Sequence, residues 1–227
     1  MAKDITIGSA VQTIIWDLDG TLIDSFEIFA EILAEVARLN VLDMPEREVL
    51  RHNFHGPLED SIKHSLEISD PHLLKKIVAD FLELQENYYA LPDEHLLEDA
   101  YLLAQRLQLA GKRQIVVTNR VHASRGNASP RHIVEHSALR LYIDALVCGD
   151  ESSFRKPDAR VLNAVAANFD LERALVIGDQ FVDAELAHNL GLQAVLIDRG
   201  GQGIAHLESL PDTTSYRVVR SLDEVLV

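Results

Sequence analysis

Short apolar runs recur along the chain, and most are followed by a stretch with helical period. The first covers residues 11–16 and stops at Asp17; runs at 114–118, 145–148, 174–178 and 193–197 have the same character. Continuous apolar runs of this length are what strands buried on both faces present. Between them, Leu96, Ala100, Leu103 and Leu107 recur at helical spacing, with Gly111 placed to stop that helix. Val161, Val165 and Ala166 predict a second helix, and Phe181, Leu186 and Leu190, followed by Gly191, a third. Strands alternating with single helices predict an α/β fold, a doubly wound parallel sheet. Such sheets bind ligands beyond the carboxyl ends of their strands. Asp17, Thr118 and Asp179 all fall at such ends.

Residues 24–91 break the rhythm, because no run there reads as a strand. Leu22, Phe26, Phe29, Leu33 and Val36 form one helix face, and Leu74, Ile77, Phe81, Leu84 and Tyr88 another. Asp70 as N-cap and Pro71 at the first helical position open the second. The expected organisation is a core of residues 1–23 and 92–227 carrying a helical insertion, or cap, at 24–91, with Pro92 marking the return.

Composition narrows the class. Of 227 residues, 47% are hydrophobic, enough for an ordinary core, and no apolar run approaches the length of a membrane span. The formal charge of -15 repels phosphate backbones and excludes nucleic acid as a stable partner. One cysteine, Cys148, excludes an internal disulfide framework; it reads as a buried neutral thiol in a reducing cytoplasm. The first residues lack the pattern of a secretory signal. Nothing in the pattern sets the oligomeric state.

Asp17 and Asp19 lie two apart, at the end of a strand and before Gly20. Period-two geometry turns both side chains to one side. One carboxylate can then attack an electrophile while the other moves a proton. Gly20 permits a sharp exit from the strand, and Thr21 supports the turn. In isolation, an Asp-x-Asp pair equally suits a solvated turn. A calcium loop of the EF-hand type fails on spacing, since Gly20 falls at position four and Ile28 stands where a bidentate Glu belongs.

Asp17-Leu18-Asp19-Gly20-Thr21 after an apolar strand resembles the first motif of the haloacid dehalogenase superfamily phosphohydrolases. Thr118 matches the second motif, Lys156-Pro157 the third, and Gly178-Asp179-Gln180-Phe181-Val182-Asp183 the fourth, in family order. The insertion between the first two motifs is similar to the helical cap of the first cap subclass, closest to phosphoglycolate phosphatase-like members. The resemblance covers nearly the whole chain and implies a Mg²⁺-dependent phosphatase for a small phosphorylated metabolite, working through an aspartyl-phosphate. It implies that Asp17 is nucleophile and metal ligand, and that Asp19 is general acid and base with its main-chain carbonyl on the metal. Thr118 and the Asn119 N–H would hold the phosphoryl group, and Lys156 would balance charge. Asp179 would ligate Mg²⁺ directly and Asp183 at second remove. Alternatives for single residues stay open: Lys156 as a surface residue, Thr118 as a plain strand end, Asp183 as an acid favoured by a helix dipole.

Arg51, His52, His55 and Gly56, in the cap segment running to Pro57-Leu58, are candidates for contact with the leaving group; the adjacent Gly56-Pro57 departs from the Gly-x-Pro-Leu loop of cap-type relatives. Gly20 and Thr21 join them as substrate-side candidates. Arg120 and Arg155 neighbour the second and third motifs. His132-Ile133-Val134-Glu135-His136 matches a zinc-protease pattern, but it lies in a crossover without a third ligand and reads as a solvated helix face. Asn127-Ala128-Ser129 is an incidental sequon, and 200–203 a glycine-rich surface loop without a P-loop Lys. Rival functions are a phosphomutase, a phosphoacceptor signalling module and a non-catalytic binding relative; dehalogenase chemistry is disfavoured by the presence of Asp19.

Overall fold

The computed structural model of the protein describes residues 5–54, 57–120, 126–151, 153–200 and 203–227. Its core is a six-stranded, all-parallel sheet. In chain order the strands are β1 (Ile5–Thr6), β2 (Thr13–Trp16), β3 (Arg113–Val117), β4 (Ala145–Val147), β5 (Ala174–Gly178), β6 (Gln193–Ile197), β7 (Ser215–Val219) and β8 (Val225–Leu226). The main sheet runs β4-β3-β2-β5-β6-β7, and β1 pairs separately with β8. All four residues of β2 are buried, because strands flank it on both edges and helices cover both faces. Its alternation divides the core in two: Ile14 and Trp16 join one apolar cluster, Ile15 the other. The strand order reverses direction at β2 and β5, the switch point where a doubly wound sheet opens a crevice.

Seven α-helices complete the described chain: α1 (Ser25–Leu39), α2 (Arg47–Asn53), α3 (Leu58–Ser65), α4 (Pro71–Tyr88), α5 (Glu98–Leu109), α6 (Pro130–His136) and α7 (Phe181–Leu190). The first four form the helical cap. Asp24 caps α1 by accepting the Glu27 N–H at 3.1 Å, and Asp70 caps α4 from the His72 N–H at 2.9 Å, with Pro71 in its first turn. Phe29 on α1 meets Phe81 on α4 with ring centroids 5.6 Å apart, and Phe54 packs against Phe29 at 5.2 Å. Phe29 and Phe81, both buried, contribute about 1.5–3 kcal/mol each, and half-buried Phe54 less. α5 lies on one face of the sheet and α7 on the other. Gly191 ends α7 in the left-handed region, as its position after Leu190 predicted.

The chain enters and leaves the cap side by side. Ile23 bridges Leu96 in antiparallel fashion, Leu97 N–H donates to Leu22 O at 3.0 Å, and Asp24 N–H to His95 O at 2.8 Å. Asn127, on the core, grips α4: its backbone N–H donates to Glu86 Oε2 at 2.8 Å and its side chain to Glu86 O at 3.0 Å.

Two expectations need correction. The stripe of Val161, Val165 and Ala166 forms no α-helix but two 3₁₀ turns, Ala159–Ala164 and Ala166–Asn168. Val161 and Leu162 are buried and Val165 packs partly against the core, while Ala166 is exposed, so little apolar surface is buried to hold a full helix. The edge strand β7 was not foreseen, since its residues are mostly exposed and its run is mixed. The 200–203 loop falls partly outside the described residues.

Candidate active site

Three neighbouring strands deliver three side chains to one point. Trp16 is level with Val116 on β3 and with Ile177 on β5. One step further along β2 comes Asp17; Thr118 and Asp179 each stand directly after their own strands. The ladders continue into the site: Asp17 N–H donates to Ile177 O at 2.9 Å, and Thr118 N–H to Val147 O at 3.0 Å. Asp17, Thr118 and Asp179 are all buried.

Lys156, from the segment after β4, reaches the same point. Its Nζ lies 2.5 Å from Asp17 Oδ1 and 2.7 Å from Asp183 Oδ1. Asn119 sets the lysine backbone: its Oδ1 accepts the Lys156 N–H at 2.9 Å and its Nδ2 donates to Lys156 O at 3.1 Å. Asp183 stands in the first turn of α7, where its Oδ2 accepts the Gln180 N–H at 3.1 Å in a capping box. Both expectations for these residues are therefore joined: Asp183 caps the helix and also contributes to the cluster.

Two glycines make room for the acids. Gly20 has φ +78, and a Cβ there would collide with the Asp179 carboxylate; a Cβ on Gly178 would collide with Asp183. Thr21 is fully buried and donates to Asp179 Oδ1 at 3.2 Å. It thus orients an acid rather than lining the large cavity beside Asp17.

Asp17, Asp179 and Asp183 offer oxygens that all lie within 4.8 Å of one another. Such crowding has an electrostatic signature. Burial raises the Asp17 carboxyl to about 7, with Asp183 and Asp19 adding and Lys156 opposing. Burial, then Asp17 and Asp183, also push Asp179 well above the usual carboxylate range. Burial works against the Lys156 ammonium, but Asp17 and Asp183 outweigh it and hold the lysine charged. Three buried carboxylates against one ammonium leave an excess of negative charge, and the donors are all oxygen. That set fits a hard divalent cation such as Mg²⁺.

The Asp19 side chain stands outside this cluster. Arg120 grips it through Nε at 3.1 Å and through a second, shorter contact from Nη2. The same Nη2 donates to the Tyr89 hydroxyl at 2.9 Å, and Nη1 to Ala128 O at 3.2 Å. Arg120 was only a neighbour of the second motif in the sequence; the structure makes it the partner of Asp19. Tyr89, buried just past the end of α4, was not singled out, since its role depends on a contact between residues 31 positions apart.

A cavity of about 670 Å³ opens in front of Asp17 and Asp19, lined on the core side by Thr118, Asn119, Arg120, Arg155 and Lys156 and on the other by the cap. Arg51 does not line it. Its guanidinium sits 3.9 Å over the Phe26 ring, donates to Arg199 O at 3.0 Å, and lines a second cavity of about 240 Å³ that also includes Gly20, Asp24 and Asp179. His55 and Gly56 lie outside the described residues. His132 and His136 stack at 4.1 Å and Glu135 pairs with Arg131, but only Glu135 and His136 are exposed while His132 is half-buried and Ile133 and Val134 are buried, so the motif is a solvated face only in part; among the described residues the only metal-type cluster is that of Asp17, Asp179 and Asp183. Cys148 is buried, and burial pushes its thiol up to about 12, as a neutral core thiol requires.

Comparison with known proteins agrees with this arrangement. The phosphoglycolate phosphatase of Rhodobacter capsulatus is 25% identical over 94% of this chain and 95% of its own. The GMP/IMP nucleotidase YrfG of Escherichia coli is 26% identical over 91% of this chain and 93% of its own. Among solved structures, a haloacid dehalogenase superfamily hydrolase of subfamily IA from Geobacter sulfurreducens superposes with a TM-score of 0.71 at 19% identity, covering 96% of this chain and 95% of that one. The family model of the haloacid dehalogenase-like hydrolases matches residues 14–197, which span the helical cap and all four motifs, and the chain belongs to that family.

Proposed function

We propose that the protein is a Mg²⁺-dependent phosphatase of small phosphate monoesters, with Asp17 as nucleophile. The observation that carries the proposal is the placement of Asp17: a buried carboxylate between Lys156 and two further acids, at the mouth of a cavity large enough for a metabolite. The names of its relatives as phosphatases and nucleotidases support the reaction class.

Asp17, Asp179 and Asp183 would hold Mg²⁺, joined by the Asp19 main-chain carbonyl. When bound, the ion would neutralise charge on the phosphoryl oxygens and let two anions approach. The chain's own residues do the rest. An oxygen of Asp17 attacks phosphorus in line as the bond to the leaving oxygen breaks, and Asp19 as an acid gives its proton to that oxygen. A water then attacks the aspartyl-phosphate, Asp19 takes the water's proton, and the bond from phosphorus to Asp17 breaks to release phosphate. The Thr118 hydroxyl and the Asn119 N–H hydrogen-bond the moving phosphoryl group, and Lys156 opposes the burial that raises Asp17 and balances charge beside it. Arg120 positions Asp19 and ties it to Tyr89 at the root of the cap. We place the cap at residues 24–91, closing over the cavity and excluding bulk water during the first step.

A cytoplasmic setting is consistent with the buried, unpaired Cys148, and no helix among the described residues is long and apolar enough to cross a membrane. The test is phosphate release from a panel of phosphorylated metabolites with Mg²⁺, run beside Asp17→Asn. Wild type releases phosphate and the variant does not; equal rates would refute the nucleophile. Sugar phosphate interconversion without free phosphate would favour a mutase.

A further inference from the structure

We propose that Arg155 is a specificity-determining residue whose guanidinium binds a second anionic group on the substrate, so that the leaving group carries a carboxylate or a phosphate of its own; this rests on the phosphatase reading above.

Among the described residues, three cations line the cavity in front of Asp17: Arg120, Arg155 and Lys156. Two are committed to carboxylates. Lys156 is buried on Asp17 and Asp183, and Arg120 holds Asp19. Arg155 differs in both respects: it is exposed, and no carboxylate of the described residues lies within ion-pair distance of it. Acids near it in the chain are turned elsewhere. Glu151 pairs with Arg131 at 2.7 Å and accepts the Cys148 N–H at 3.1 Å, and Asp158 pairs with Arg160 at 2.5 Å. In a chain with 36 acidic residues against 21 Lys and Arg, an arginine left without an acid at the rim of the site runs against the balance of charge.

Its position is set by the same segment that sets the catalytic lysine. Arg155 Nε donates to Gly149 O at 3.0 Å, which anchors one edge of the guanidinium. The donors on its two terminal nitrogens have no hydrogen-bond partner among the described residues. Gly149 is tied to the end of β3: its N–H donates to Arg120 O at 2.9 Å, and a Cβ there would strike Asn119 O. Asn119 in turn holds the Lys156 backbone through both its N–H and its carbonyl. Lys156 therefore points to the buried acids while Arg155, one residue earlier, borders the open part of the same cavity.

In-line attack by Asp17 sends the leaving oxygen away from the buried acids and into that cavity. An anionic group on the leaving group then meets a planar fork whose paired N–H donors match the oxygens of a carboxylate or a phosphate. The arginine also offsets the repulsion between a second negative charge and a cluster that already holds an excess of carboxylates. A neutral leaving group gains neither.

The test measures kcat/KM of the full chain with Mg²⁺ on two matched pairs, with 4-nitrophenyl phosphate alongside. Phosphoglycolate is set against 2-hydroxyethyl phosphate, and fructose 1,6-bisphosphate against fructose 6-phosphate. Wild type should favour the anionic member of at least one pair about tenfold or more, the scale of one hydrogen-bonded contact to a charged group. The pair that shows the preference tells carboxylate from phosphate. Arg155→Met should erase it, chiefly by raising KM for the anionic member, and Arg155→Lys should restore part of it. No preference in either pair would overturn the proposal. An equal loss on both members in Arg155→Met would do so too, since Arg155 would then serve only to support Lys156. Hydrolysis of 4-nitrophenyl phosphate with both pairs ignored would defeat the proposal alone. No phosphate from any compound would defeat the phosphatase reading beneath it as well.

Discussion

Replacing Lys156 with methionine keeps an unbranched apolar stem, one atom shorter, and deletes the ammonium with its two hydrogen bonds. In the native protein Lys156 is 6% exposed, and its ammonium bonds Asp17 at 2.5 Å and Asp183 at 2.7 Å. Without it, three buried carboxylates whose oxygens lie within 4.8 Å face one another with no cation. Breaking a buried ion pair by removing one partner costs about 3–5 kcal/mol. Asp17 already titrates near 7, so at neutral pH the variant relieves part of the repulsion by taking up a proton. Because Lys156 lowers the Asp17 carboxyl, its removal pushes that group up further, so the loss grows as pH rises beyond about 7 and protonation shields the cluster less. For a protein of this size each kcal/mol shifts the melting temperature by about 2–4 °C, so the expected drop is roughly 10 °C. The assay is thermal unfolding by circular dichroism in EDTA at pH 6 and pH 8.5, repeated with Mg²⁺. The drop should grow with pH in EDTA and shrink when the cation supplies the missing charge. A variant that melts within about 1 °C of wild type in EDTA at the higher pH would refute the electrostatic account of this site.

Gly20→Ala places a Cβ against the Asp179 carboxylate at a φ of +78, so Mg²⁺ activation should need at least about tenfold more cation, read from rate against Mg²⁺ concentration. Arg120→Met releases Asp19 and should lower kcat more than tenfold while leaving KM within about twofold; loss in KM alone would make Arg120 a substrate contact instead. Tyr89→Phe removes only one hydrogen bond to Arg120 and should cost about 1 kcal/mol of stability by urea denaturation. The Asp17 carboxyl is raised in the folded state, so between the unfolded value near 4 and about 7 the metal-free native protein holds a proton that the unfolded chain has lost. Its contribution to stability is therefore lost as pH rises through that window. Asp17→Asn should be progressively favoured over wild type from pH 5 to 8 in EDTA, and a flat difference would argue that Asp17 is not strained.

The strands β2, β3, β5 and β6 were legible because each is buried on both faces past its first residues and is apolar there. The helices α1, α4, α5 and α7 were legible because each carries a one-sided stripe with a local cap or stop. Asp17, Thr118 and Asp179 were readable as one site for a simpler reason: parallel strands align their carboxyl ends, so position at the end of a run implies position in space. Order along the chain then brought in Lys156 and Asp183. The turns at 159–168 and the edge strand β7 escaped, since their short or mixed patterns leave packing to decide.

What only the tertiary structure decided is pairing across distance. Nothing in the spacing of residues 19, 89 and 120 says that Arg120 joins Asp19 to Tyr89; that depends on how the cap returns to the core at Ile23 and Leu96. Arg51 read as a substrate contact because it lies near the specificity loop, yet cation-π contact with Phe26 and a bond to Arg199 O turn it into another cavity. Local sequence thus determined the fold and where the acids of the candidate site fall, since their positions follow from backbone periodicity. The orientation of long charged side chains was left to the folded chain, because their partners are chosen by burial and electrostatics among residues far apart in sequence.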